Sequence, residues 1–312
     1  MIAGFMLASY SIVANDAIQT LGTFLASNSK RPWWVLWLYS TSILAAVLLW
    51  GWFAHEGDVS YGRLAVIEHP APFTWIYVLP PIVLLLLTRF GMPVSTTFLV
   101  LTVFSPENLG NMISKSLIGY GVAFGAALAV YLLVARVISA RLIESSQTPP
   151  SRFWTALQWS STGFLWAQWL IQDLANIFVY LPRPLSGTLL MGSLVLMMTL
   201  HAWIFYKAGG AIQKIVTSKT NTGDIRAATI IDFMFGMVLL FFKELSNIPM
   251  STTWVFLGLL AGRELALTIR LRVRTTNATG GLIARDAIKA GIGLGVSVAL
   301  ALALPWLAKA MG

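Results

Sequence analysis

The chain has no cysteine. Disulfides, thiolate metal sites and thiol nucleophiles are excluded together. Charge is also scarce: 11% of the 312 residues are Asp, Glu, Lys or Arg, against roughly 25% in a soluble globular chain. No polar stretch is long enough to form a soluble domain. A Walker-type glycine loop is missing, so ATP-driven work by this chain is unsupported. No nucleophile–base pair is legible, and the chain does not read as an enzyme.

What the sequence has in quantity is apolar runs, with 57% hydrophobic residues. Trp33 to Phe53, Thr188 to Tyr206 and Ile288 to Leu307 are each close to the ~20 residues that cross a bilayer as a helix. Backbone groups in lipid must be paired within their own segment, so these spans are expected to be helical. The first 28 residues lack a basic start, and Asn15-Asp16 interrupts their apolar run. They read as a membrane helix and not as a signal peptide. The net charge of +9 fits basic cytoplasmic loops better than a nucleic-acid surface. The expectation is a multi-pass protein of the cell (plasma or inner) membrane, with lipid as its surroundings and no nucleic-acid partner.

Two strings recur: Pro93-Val94-Ser95-Thr96-Thr97 and Pro249-Met250-Ser251-Thr252-Thr253, offset by 156 residues. Asn15-Asp16 and Gln172-Asp173 form a second pair, offset by 157. Two independent pairs at nearly one offset predict an internal duplication. The halves are 1–148 and 149–312, joined in the polar stretch Glu144 to Arg152. Each half begins with an apolar helix interrupted by polar residues (Met1 to Ala26; Phe153 to Leu181). A plain span follows (Trp33 to Phe53; Thr188 to Tyr206). Two apolar arms then meet at the Pro-Ser-Thr-Thr tip (Thr74 to Phe104; Ile230 to Thr268), and a closing helix ends the half (Ile113 to Ala135; Ala287 to Leu307). The arms are either re-entrant or fully spanning. In both cases each half crosses an odd number of times, so the second half is inverted.

Basic residues agree with that topology. With the N-terminus outside, one face collects Lys30, Arg31, Arg136, Arg141, Arg152, Lys207, Lys214, Lys219, Arg226, Arg263, Arg270, Arg272, Arg274 and Arg285, and the other only Arg63, Lys115, Arg183 and Lys309. Such a bias marks the cytoplasmic face and puts both termini outside. The predicted fold class is an all-α integral membrane protein of two inverted-topology repeats, with broken helices and paired helical hairpins. That architecture is typical of secondary transporters, whose sites sit near the midplane at the ends of discontinuous helices.

The tips carry one candidate chemistry. Pro suits the start of a helix, and Gly91 can supply the turn before Pro93. Hydroxyls of Ser95, Thr96, Thr97, Ser251, Thr252 and Thr253 then stand beside helix-start amides, a combination that attracts anions. Taken singly, each tip is an ordinary N-cap. Asp16 and Asp173 carry the other chemistry. A charged Asp at mid-helix costs about 2.5–3.5 kcal/mol on insertion scales, so it marks a functional position. With Asn15, Gln19, Gln172 and Asn176 these acids offer hard oxygen ligands for Na⁺, or a proton site; helix–helix hydrogen bonding is the plainer alternative. Arg89 and Lys243 precede the tips and either neutralise a bound anion or, respectively, snorkel to the interface and pair with Glu244. His55 and His69, with Glu56, Asp58 and Glu68, fall in a loop expected to be solvated. His201 reads as a packed, hydrogen-bonded residue.

These motifs resemble the inorganic phosphate transporter (PiT) family. Ala14-Asn15-Asp16 with Gly22-Thr23 is similar to one copy of its Gly-Ala-Asn-Asp-Val-Ala-Asn-Ala motif, and Asp173-Leu174-Ala175-Asn176 to the other. Gly91-Met92-Pro93-Val94-Ser95-Thr96-Thr97 and Ile248-Pro249-Met250-Ser251-Thr252-Thr253 resemble its Gly-x-Pro-Val-Ser-Thr-Thr-His motif. Gln19 and Gln172 stand where the family has Asn. Phe98 and Trp254 stand where it has His. The resemblance implies a symporter coupling Na⁺ or H⁺ to inorganic phosphate, or to sulfate in one branch, with no tightly bound cofactor. By analogy it adds a homodimer. Asp16 and Asp173 would be the Na⁺ ligands if sodium is the coupling ion. A passive anion channel and a subunit of a membrane complex are the readings from other classes.

Overall fold

A computed structural model describes residues 1–69, 73–137, 151–218, 223–245, 249–271 and 275–311. Most of the expected joint between the halves, Ile248, and the basic residues Arg141, Lys219, Arg272 and Arg274 lie outside the described residues. Six helices among those described are long and apolar enough to span a membrane: Trp33–Ala54, Pro106–Leu133, Gly187–Tyr206, Ile225–Leu245, Thr252–Arg270 and Thr276–Leu304.

The first run is a helix in two pieces, α1 (Ile2–Ile12) and α2 (Ile18–Ser27), joined by a π-helical turn at Val13–Ala17. The apolar α3 (Trp33–Ala54) comes next. The first hairpin has short arms. Its descending arm α4 (Leu79–Arg89) has 11 residues, about 16 Å of helix at 1.5 Å per residue. Its ascending arm is a π turn at Thr97–Leu101 followed by the single turn α5 (Thr102–Phe104). Even with the 3₁₀ turn Trp75–Val78 that leads into α4, neither arm reaches the ~20 residues of a spanning helix. Gly91, at φ +65°, turns the chain between α4 and the tip. The closing helix is α6 (Leu109–Val137).

The second half runs α7 (Arg152–Asp173), the short α8 (Ala175–Phe178), α9 (Gly187–Tyr206), α10 (Gln213–Thr217), α11 (Ile225–Leu245), α12 (Thr252–Leu271) and α13 (Thr276–Met311). Here the hairpin arms α11 and α12 are each of spanning length. The two hairpins therefore differ in length while sharing a tip sequence.

Burial separates centre from perimeter. The apolar window of α12 is 83% buried, whereas those of α6 and α13 are 28% buried. Trp50 and Phe53 on α3, Val195 and Trp203 on α9, and Ile288 and Leu302 on α13 are exposed. Such outward apolar faces suit lipid as solvent. α12 reaches the centre through glycine. A Cβ at Gly258 or Gly262 would overlap the backbone carbonyls of Tyr120 or Phe124 on α6. This small-xxx-small spacing lets two membrane helices meet backbone to backbone.

Two expectations need correction. Arg263 is not in a basic loop: it is buried in α12, ion-paired to Glu264 at 3.0 Å and set over the Tyr131 ring. Nor is the segment after α3 simply solvated. Val59, Arg63, Leu64 and Ile67 are all buried, because Asp58 folds the loop inward by accepting from Ser60 N–H and Gly62 N–H, both at 2.7 Å.

Candidate functional site

The two tips meet. The hydroxyl of Thr97 donates to the carbonyl of Met250 at 3.1 Å, and that of Thr253 donates to the carbonyl of Val94 at 3.2 Å. Residues 97 and 253, and 94 and 250, are related by the same 156-residue offset. All four are buried.

The remaining hydroxyls fall into matched pairs. Ser95 Oγ accepts from Phe98 N–H at 3.2 Å, and Ser251 Oγ accepts from Trp254 N–H at 3.3 Å. Both serines thus cap their helices, as single Ser-Thr-Thr strings suggest. Their own hydroxyl hydrogens remain available as donors. Thr96 donates to Asp16 Oδ2, and Thr252 donates to Asp173 Oδ2 at 2.6 Å. Phe98 and Trp254 pack edge to face, with ring centroids 6.5 Å apart.

The π turn in the first helix puts Asn15 and Asp16 inward together. A π bulge re-aims side chains in this way and is common at functional positions. Asp16 Oδ1 accepts from Asn15 Nδ2 at 2.7 Å and Gln19 Nε2 at 3.3 Å. In the second half the helix carries one irregular turn at Leu174, between Asp173 and Ala175, where the backbone stays α-helical. Asp173 Oδ1 accepts from Asn176 Nδ2 at 3.1 Å. The same amide donates to Thr96 Oγ1 at 2.8 Å. A continuous path of hydrogen bonds thereby runs from Asp16 through Thr96 and Asn176 to Asp173.

The amides are oriented consistently. Asn15 also donates to the carbonyl of Val94 at 2.7 Å, and Gln172 donates to that of Leu239 at 2.6 Å. With their NH₂ groups engaged, Asn15 Oδ1, Gln19 Oε1, Gln172 Oε1 and Asn176 Oδ1 are buried without a donor among the described residues. Two buried carboxylates and four buried amide oxygens are a hard-oxygen donor set, which suits a small hard cation. The two halves are not equivalent: Asn15 reaches the tip, whereas Gln172 reaches α11 instead.

Arg89 is exposed at the end of α4. Lys243 pairs with Glu244 at 3.4 Å, the plainer of its two expected roles. Neither is hydrogen-bonded to a tip.

Two buried groups escaped the sequence reading. Asp232 on α11 is fully buried and accepts from Thr23 and Thr162. Its position inside an apolar run was the available signal. Arg63 sits in a loop, where nothing in the sequence marks it as buried. His201 is packed as expected, with Nδ1 2.8 Å from the carbonyl of Met197.

Buried acids at irregular helical turns, paired hairpin tips and spanning helices together define a polytopic membrane protein. The fold matches a solved structure described as the sodium-dependent phosphate transporter, with a TM-score of 0.61 and 14% identity, covering 100% of this chain and 98% of that one. At that identity the likeness shows the fold alone. No protein-family model and no curated protein matches the sequence.

Proposed function

We propose that this protein is a secondary transporter that brings a tetrahedral oxyanion, inorganic phosphate first, across the membrane together with Na⁺ or H⁺. The supporting observation is the repeated link between tip and acid: Thr96 to Asp16 and Thr252 to Asp173. The whole-chain likeness to a sodium-dependent phosphate transporter favours phosphate over sulfate. The site belongs to two inverted repeats, residues 1–148 and 149–312, in the plasma or inner membrane with both termini outside.

The links suggest how coupling works. Each threonine hydroxyl has one hydrogen, and in Thr96 and Thr252 it is held by a carboxylate. A cation or proton on Asp16 or Asp173 weakens that carboxylate as an acceptor. The threonine hydrogen is then free to turn toward an anion at the tips, beside the hydroxyls of Ser95 and Ser251. Thr97 and Thr253 keep the tips together. Cation binding thus precedes and strengthens anion binding. Asn15, Gln19, Gln172 and Asn176 supply neutral oxygens to the cation, and Asp16 and Asp173 supply its countercharge.

Thermal stability of the purified protein tests the order of binding. Phosphate should raise Tm only when Na⁺ is present or the pH is low enough to protonate the acids. Stabilisation by phosphate that is the same with and without either cation contradicts the coupling.

A further inference from the structure

Arg63 is a buried cation whose terminal nitrogens have no hydrogen-bond acceptor among the described residues. Its residue is 1% exposed, and both Nη1 and Nη2 lack an acceptor. Buried donors are almost always paired, and a charged one is the costliest to leave alone. Much of the surrounding loop is organised around this inward position. Glu56, Gly57, Tyr61 and Gly62 all have positive φ. Asp58 clamps two loop amides. Tyr61 donates to the carbonyl of Val47 at 2.6 Å. Arg183 donates to the carbonyl of Leu64 at 2.5 Å. Leu64 also lines a cavity of about 420 Å³ with Asp58, Ala65, Ile67, His69 and Arg183, while its neighbour Arg63 is buried.

Arg63 feels the charge of Asp173, whose carboxylate accepts from Thr252 of the second tip at 2.6 Å. Burial lowers the pKa of Arg63 to about 10, opposed by attraction to Asp173. Even so, the guanidinium stays charged at neutral pH. It is also electrostatically coupled to Lys115, whose neighbour Ser116 accepts from the N–H of Ser251 at 2.8 Å. Arg63 thus shares its electrostatic surroundings with Asp173 and Lys115, two residues tied to the second tip through Thr252 and Ser116. A planar fork of unsatisfied donors there matches two oxygens of one oxyanion.

We propose that Arg63 is the specificity-determining residue for the transported anion, binding two oxygens of a tetrahedral oxyanion next to Ser251. This rests on the transport reading above. Arg63 supplies the charge recognition expected of Arg89 and Lys243. It also accounts for how a site with two buried carboxylates admits an anion at all: the fixed cation offsets their repulsion before the coupling ion is counted.

The test is labelled phosphate uptake by the full chain in liposomes, with R63Q and R63K beside the unaltered protein. R63Q should raise the phosphate KM at least tenfold, and R63K should raise it several-fold, because Lys keeps the charge and loses the fork. The rise in Tm that the unaltered protein shows without phosphate, on adding Na⁺ or on lowering pH, should persist in both variants. An unchanged KM in R63Q overturns the proposal. So does a variant that gains cation affinity while its phosphate KM is unaltered, since Arg63 would then serve only Asp173. If R63Q is not recovered folded, R63K decides, and an unchanged KM in R63K overturns the proposal equally. Absence of uptake by the unaltered, folded protein would instead refute the transport reading itself.

Discussion

Thr97 and Thr253 each reach into the other's hairpin, donating to the carbonyls of Met250 and Val94. The bond is the same one drawn twice, so the two tips form a single buried unit and not two separate caps. A buried neutral hydrogen bond contributes about 1 kcal/mol. T97V and T253V should each lower stability by about that amount, measured by denaturation in detergent. The double variant should lose less than the sum, by ~0.5 kcal/mol or more, because contacting residues couple. Strict additivity would mean that the tips do not act together.

Thr96 and Thr252 carry the coupling argument. Valine keeps their shape and removes the hydrogen that joins tip to acid. T96V and T252V should each weaken the mutual enhancement of cation and phosphate binding, from roughly tenfold to near unity in titrations of one ligand at fixed levels of the other. Tenfold corresponds to about 1.4 kcal/mol of coupling. Enhancement that survives both substitutions contradicts the role given to these hydroxyls.

Ser95 and Ser251 hold two roles at once, as caps and as donors with a free hydrogen. S95A and S251A should cost about 1 kcal/mol each in stability through the lost cap, and should raise the phosphate KM as well. S95D separates the roles: it keeps a capping oxygen but puts a negative charge where the anion sits. It should retain stability closer to the parent while abolishing uptake. Phosphate uptake by S95D at the parental rate would remove Ser95 from the anion site.

Gly262 lets α12 lie against the Phe124 carbonyl of α6. G262A forces the helices apart, an overpacking that typically costs ~1–3 kcal/mol. A lower Tm and a reduced folded yield are expected, with any protein that does fold retaining its phosphate KM. A stability equal to that of the parent would show that the α6–α12 contact has room for a methyl group at this position.

Much of this was legible in the sequence because the informative residues break local rules. Asp16 and Asp173 stand in apolar runs, and the Pro-Ser-Thr-Thr strings repeat at one offset. Each of those irregularities lies in the buried cluster. Arg89 and Lys243 show that proximity along the chain does not set contacts: Arg89 is exposed at the end of α4, and Lys243 pairs with Glu244. Arg63 could not be found by periodicity, since its burial depends on a tertiary loop fold set by Asp58, Tyr61 and Arg183. The unequal hairpins were hidden as well. Their arms are similarly apolar, and only the π turn at Thr97–Leu101 and the short α4 distinguish the first from the second.

The central claim is coupled transport, and uptake into liposomes tests it most directly. Labelled phosphate and sulfate are supplied outside, with inward Na⁺ or proton gradients imposed separately. The account predicts phosphate accumulation above its equilibrium level under at least one of these gradients, and loss of that accumulation in D16N and D173N. Phosphate flux that only equilibrates, is indifferent to both gradients and persists in D16N would identify a passive pathway and contradict the account.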